Sequence, residues 1–201
     1  MAPDAWQGLP VVSDEQIDPS ERRAGQQVRI VHLTGPVFQA LADGDLTDAN
    51  AISPVPSSPL FVDPSARYVW RMRTAQIAAD HASAAWVNGV VWCERRQAAV
   101  GYAGYHGPPD PSGMVEIGYT VDPAYRRLGY ARAALEALLE RAAREPRVRV
   151  ARVSIRPDNI ASYRLASQYG FVKVGEQWDD EDGLEIVYAV EVEHRHTPTC
   201  R

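Results

Sequence analysis

The chain has 201 residues, enough for one domain with a substantial core and short for two. Its 26 acidic and 21 basic side chains give a formal net charge of -5, which argues against a general attraction to nucleic acid or to an anionic membrane surface. Cys93 and Cys200 stand far apart, so neither a disulfide framework nor a zinc site is expected.

Residues 1–26 are polar and rich in Asp, Pro and Gln and read as a flexible leader. They lack the basic and apolar segments of a signal peptide, and no later run approaches the ~18 apolar residues of a membrane helix, so a cytoplasmic location is expected. "QVRIVHLTGP" is a short alternating strand, with Val28, Ile30 and His32 set against Arg29, Val31 and Leu33, stopped by Gly35-Pro36. A first helix starts near Pro36 and breaks at Gly44. "SPVPSSPLFVDPS" carries four prolines and reads as a loop bordering a site. From Asp63-Pro64-Ser65 a second helix follows, with Val69, Met72, Gln76 and Ile77 at helical spacing.

"AAWVNGVVWCE", "QAAVGYAGYHG" and "GMVEIGYTVDP" then form an antiparallel meander, rich in Val, Trp, Tyr and Ile and divided by turn residues. "GYARAALEALLERAAREP" places Ala131, Ala134, Leu135, Leu138, Leu139 and Ala142 on one helical stripe ended by Pro146. "RVRVARVSI" alternates as a strand. "DNIASYRLASQYGF" is a helix started by Asp158 or Asn159 and stopped by Gly170, and "VKVGEQW" and "LEIVYAVEV" close a hairpin around "DDEDG". Residues 27–193 thus form a single domain of α/β (α+β) class, and residues 194–201 a tail.

The turn "AYRRLGYARA" is the most informative stretch. A helix start exposes amides without carbonyl partners at the positive end of the helix dipole, and so receives phosphate oxygens. Gly129 removes a Cβ at the approach, Ala131 is nearly as small, and Arg126, Arg127 and Arg132 add charge. The chain contains neither GxxxxGK[ST] nor GxGxxG, which disfavours a P-loop nucleotidase and a dinucleotide fold. On local grounds a plain strand-to-helix turn with solvated arginines stands level with a pyrophosphate site.

"VEIGYTVDPAYRRLGYARAALEALL" resembles the acetyl-CoA signature of the GNAT superfamily of N-acyltransferases. Its pattern of Gln or Arg, two residues, Gly, one residue, Gly or Ala is met by Arg126, Gly129 and Ala131. The downstream "NIASYRLASQYGF" is similar to the family helix that carries an asparagine and ends in Gly-Phe, and the Rim-type branch is the nearest in pattern. The resemblance implies a GNAT-like, mostly antiparallel sheet with helices on both faces, acetyl-CoA as acyl donor and no metal. It also implies a primary amine of a small molecule or peptide N-terminus as acceptor, with neither nucleic acid nor membrane as partner and room for a homodimer.

It further implies that Tyr119, Thr120 and Val121 run beside the pantetheine arm, and that the amides of Arg127, Leu128, Gly129, Tyr130, Ala131 and Arg132 cap the pyrophosphate. Asn159 is assigned cofactor contact, with a plain N-cap as its ordinary role. Glu116 is the candidate base, directly or through water. Its apolar neighbours Val115 and Ile117 are expected to raise its pKa, and its ordinary role would be that of a structural hydrogen-bonding partner. The Val121 amide is assigned the oxyanion. Many family members carry a proton-donating tyrosine four residues before the glycine of Gly-Phe, whereas this chain has Ala166. Ser162 is therefore the remaining candidate on the sulfur side, Tyr163 reads as core, and a non-catalytic acyl-CoA-binding module is the alternative function. For the acceptor, a minority of Trp86, Trp92, Tyr102, Tyr105 and Trp178 should line a pocket. "DDEDG" would attract an amine unless merely solvated, and His106 is a second candidate base unless it is a structural histidine.

Overall fold

The computed structural model describes residues 28–181 and 183–194, so the expected leader and all but the first residue of the tail lie outside the described residues. Strand β1 (Val28–Val31) leads into α1 (Gly35–Asp43), whose Pro36 sits where a helix has no use for an N–H. Gly44 ends the helix at φ 87°. Helix α2 (Leu46–Ile52), capped by Asp45, was not expected from the sequence. Only Ala49 of its seven residues is buried, so it leaves no apolar stripe to read. The proline-rich stretch contains a 3-10 turn, Pro59–Val62, which drives Phe61 into the core against Trp70 and Tyr102.

Helix α3 (Pro64–Ala79) starts on Asp63, whose side chain accepts from the Ala66 amide at 2.7 Å. Its inward face is Ala66, Trp70 and Arg73, and Met72 is exposed. Of the expected stripe, Val69 and Ile77 pack partly buried against that core, while Met72 does not. Trp70 decides the rotation, because the largest apolar side chain takes the core and its indole N–H donates to the Phe61 carbonyl at 2.7 Å.

Strands β2 (Gly89–Cys93), β3 (Ala98–Tyr105) and β4 (Met114–Val121) form the expected meander. They are followed by α4 (Tyr130–Arg144), β5 (Val150–Ile155), α5 (Ile160–Ser167), and the hairpin of β6 (Val172–Asp179) and β7 (Gly183–Glu191). The seven strands lie in the order β1-β2-β3-β4-β5-β7-β6, and all pairs are antiparallel except β4 with β5.

Two cores cover the two faces. Helix α4 packs Tyr130, Ala134, Leu135, Leu138 and Ala142 on one face, against Val115 and Ile117 of β4 and Ala151, Val153 and Ile155 of β5. Helices α1 and α3 pack on the other, but their buried cluster takes strand residues from β1, β2 and β3 alone. On that side β4, β5 and β7 instead carry a polar group of side chains.

Candidate active site

The parallel pairing of β4 with β5 ends almost as soon as it begins. It runs through Met114 with Val150, Val115 with Ala151 and Glu116 with Arg152. Beyond that, Ile117–Val121 pair only with β3, and Val153–Ile155 only with β7. The strands part, and the inner edge of β4 is left with backbone groups that an extended ligand arm can pair with. A cavity of about 1500 Å³ occupies the gap, lined by Tyr119, Thr120 and Val121 on one side and by Ser154, Ile155 and Arg156 on the other.

At one end of this gap is the start of α4. Gly129 has φ 88° and ψ 0°, a left-handed conformation that favours glycine, and Arg127 is also left-handed at φ 65°. The first helical bond there runs from the Ala133 amide to the Gly129 carbonyl at 3.0 Å. Helix geometry leaves the amides of Gly129, Tyr130, Ala131 and Arg132 without intrahelical acceptors. All four residues line the cavity.

The side chains of the turn are mostly occupied. Arg126 Nε donates to the Val121 carbonyl at 3.3 Å, and Arg132 donates to the Tyr169 hydroxyl at 2.8 Å and to Gln168. Tyr130 turns its ring into the core, where its hydroxyl accepts from Arg96 and lies beside Cys93, and burial pushes its phenol up to about 12. Leu128 packs against the same core and does not line the cavity. At Tyr130 and Leu128 the side chains thus turn to the core.

Across the gap stands the start of α5. Asn159 Oδ1 accepts from the Ser162 amide at 3.1 Å, so the plain N-cap role is realised, while both residues also line the cavity. Ser162 lies near Tyr119, whose pKa is raised by burial and drawn partly back by Ser162. Ala166 is buried at 2% exposure and offers no proton donor. Tyr163, expected in the core, is instead 44% exposed, with its ring against Tyr188 at 5.5 Å. The segment buries Ala166 and Phe171 instead.

Glu116 sits where the strands part, and its side chain is only 11% exposed. Arg152 donates to Oε2 from Nε at 2.9 Å and from Nη2 at 2.6 Å, and Ser154 Oγ donates to Oε1 at 2.6 Å. Gln177 extends this network, accepting from Arg152 and donating to Ser154 and Glu185. The apolar neighbours Val115 and Ile117 point to the opposite face, as alternate strand residues do. The surroundings of the carboxylate are thus polar rather than the apolar ones expected.

His106 completes this side, with Nδ1 3.7 Å from Glu116 Oε2. Its pKa is lowered chiefly by burial; Glu116 raises it, Arg73 and Arg152 lower it, and Asp179 raises it. Although 45% of its side chain is open to solvent, that surface faces a concavity walled by protein, where hydration is incomplete.

Of the aromatic candidates, Tyr102 lines the cavity, Trp86, Trp92 and Tyr105 are core, and Trp178 is 75% exposed. Asp179 and Glu181 of the acidic tip reach the cavity wall. The proline-rich loop does not line it and lies behind it, with Phe61 against Tyr102 and Ser58 donating to Asp122 Oδ2 at 2.9 Å. Helix α3 supplies that wall instead, with Tyr68, Met72 and Arg73. Arg73 was missed in the sequence, although a cation one turn after Trp70 was a visible anomaly on a buried face. Among the described residues no cluster of His, Cys, Asp or Glu is arranged to hold a metal ion.

The family model described as Acetyltransferase (GNAT) domain matches residues 36–172. The chain belongs to the GNAT acetyltransferase family. A Bacillus subtilis (strain 168) relative, described as the uncharacterized N-acetyltransferase YjdG, is 36% identical over 75 residues, which are 36% of this chain and 44% of that protein. The matched stretch thus spans less than half of that relative. The GNAT fold is shared with RimL, a ribosomal alpha-N-protein acetyltransferase solved with coenzyme A, at TM-score 0.56 and 18% identity, over 84% of this chain and 94% of that one. It is shared with Mycobacterium smegmatis RimJ in complex with a CoA-disulfide, at TM-score 0.56 and 18% identity, over 82% and 81% of the two chains. A chimera of Vibrio cholerae spermidine N-acetyltransferase SpeG aligns at TM-score 0.57 and 14% identity, over 82% and 95%. No helix among the described residues of this GNAT protein is long and apolar enough to cross a membrane.

Proposed function

We propose that this GNAT protein transfers an acetyl group from acetyl-CoA to a primary amine by direct attack in a ternary complex, residues 27–193 acting as one cytoplasmic acyltransferase domain. The observation that carries the reading is the parting of β4 from β5, which joins the open amides of α4 to the buried carboxylate of Glu116 within one cavity. The donor fits these residues. Four amides and the helix dipole suit its pyrophosphate, the unpaired edge of β4 suits its extended amide arm, and no metal is needed. When bound, acetyl-CoA supplies a thioester carbonyl as the electrophile.

The protein's own part is to position, deprotonate and stabilise. Tyr119, Thr120 and Val121 align the arm by backbone pairing, with the Val121 amide directed to the developing oxyanion. Gly129 and Ala131 keep the phosphate approach clear, Asn159 fixes the start of α5, and Ser162 with Tyr119 offers hydroxyls toward the sulfur side. Glu116 holds the negative charge that favours removal of the ammonium proton, directly or through a relay. A thiolate of ordinary pKa ~8.5 leaves readily, which makes Ala166 compatible with turnover.

The acceptor is a small amine or a peptide N-terminus, drawn from the types that the names of RimL and SpeG describe for those proteins. Calorimetric titration with acetyl-CoA and thiol release across spermidine, arylalkylamines and peptides with free N-termini test the reading. Binding with thiol release on at least one amine is expected; tight binding with none would replace the enzyme by an acyl-CoA-binding module.

A further inference from the structure

We infer that His106 is the group that takes the proton from the acceptor ammonium, with Glu116 as its buried counter-charge; the inference rests on the acetyltransfer reading above. Three features of the site place the imidazole for that role.

First, the backbone of His106 is held from both sides, and its ring is confined over β4. The His106 amide donates to the Glu116 carbonyl at 2.8 Å, and the His106 carbonyl accepts from Arg73 Nη1 at 3.1 Å and from Gln76 Nε2 at 2.8 Å. The imidazole crosses β4 over Gly118, where a Cβ would stand 2.8 Å from Nε2. Any side chain at Gly118 would take the space of the ring.

Second, Glu116 is already engaged. Both of its oxygens accept hydrogen bonds, from Arg152 and Ser154, and little of it is exposed. His106 is the more open of the two and lines the same cavity. With Nδ1 turned toward the carboxylate, the tautomer carrying its proton on Nδ1 is favoured and Nε2 keeps its lone pair.

Third, burial favours a neutral ring against the pull of Glu116. Arg73 from α3 and Arg152 from β5 oppose protonation, Glu116 from β4 and Asp179 from β6 favour it, and partial desolvation brings the pKa below its ordinary 6.5. A neutral imidazole at pH 7 is ready to receive a proton, and Glu116 then stabilises the imidazolium.

The step balances. The ammonium gives one proton to Nε2, and the freed nitrogen lone pair forms the C–N bond to the thioester carbon. As the C–S bond breaks, its electron pair leaves with sulfur, the second nitrogen proton goes to the thiolate, and the imidazolium returns its proton to solvent.

The test compares wild type, H106Q and G118A on whichever panel amine the wild type acetylates, following pH–rate profiles and acetyl-CoA affinity. H106Q should lower kcat by ~100-fold or more while acetyl-CoA Kd stays within about twofold. In the wild type log kcat/KM should rise with a slope of about one only up to the pKa of His106 and then level, because the ammonium is the form used; H106Q should lose that break and rise with the titration of the amine. G118A, which displaces the ring without removing it, should lower kcat in the same sense. A loss of less than about tenfold in H106Q, or an acid-side break unchanged in H106Q, overturns the assignment while leaving acetyltransfer intact. Wild-type protein idle on every amine overturns the acetyltransfer reading and this inference together.

Discussion

Gly129 carries two separate demands, and substitutions can pull them apart. Its φ of 88° belongs to the left-handed region, where a Cβ costs about 1–2 kcal/mol. It also stands at the helix start whose amides face the cavity. Gly129→Ala should therefore lower the melting temperature by about 2–6 °C and weaken acetyl-CoA binding moderately. Gly129→Glu should abolish binding, because it adds bulk and a negative charge where a pyrophosphate is received. Calorimetry on the folded variants reads both effects, and retained affinity in Gly129→Glu would remove the phosphate cradle. Glu116→Gln makes a complementary prediction on the acceptor side. It removes the charge facing Arg152 and His106, so kcat should fall ~100-fold or more with acetyl-CoA affinity nearly unchanged. Equal turnover in steady-state assays would strip Glu116 of any chemical role.

Elements were legible in the sequence where local pattern and long-range packing agree. Helix α4 is the clearest case, since Leu135 and Leu138 of its expected stripe are fully buried. Leu139, placed on the same stripe, is only partly buried, because the β4 and β5 surface beneath covers one side of the helix. Leu135→Ala should thus cost about 2–5 kcal/mol and Leu139→Ala clearly less, read as urea midpoints at unchanged m. Equal shifts would mean that the face is assigned wrongly. The helix start at Gly129 was readable for the same reason, as it is a contiguous turn. The parting of β4 from β5 was not, because it depends on where a parallel register stops between residues 36 positions apart. That register also brings Arg152 onto Glu116, which no local pattern announces. Arg73 escaped notice for another reason: hydrophobic periodicity passes over a cation even when Trp70, three residues before it, marks the buried face.

The whole molecule uses its sheet asymmetrically. Helices α4 and α5 cover the face from which the donor would be held, whereas α1, α2 and α3 stop short of β4 on the other and leave a polar chamber around Glu116. That chamber ties folding to pH through His106. The fold keeps its imidazole neutral, with a pKa below the 6.5 of the unfolded chain, so as pH falls the unfolded state binds the proton first. Its contribution to stability is present above pH 6.5 and is lost as pH falls through the folded value. Urea unfolding at pH 7.5, 6.5 and 5.5 should therefore show declining stability in the wild type and a flatter course in H106Q. His32, also lowered by burial and by Arg141, remains in both proteins, so the difference between the two curves isolates His106. The lowered carboxyls of Glu94 and Asp110 start from ordinary values of 4.5 and 3.8 and act below this window. Superimposable curves would show that the chamber does not hold His106 neutral, and Arg73 and Arg152 would then be insufficient to counter Glu116 and Asp179.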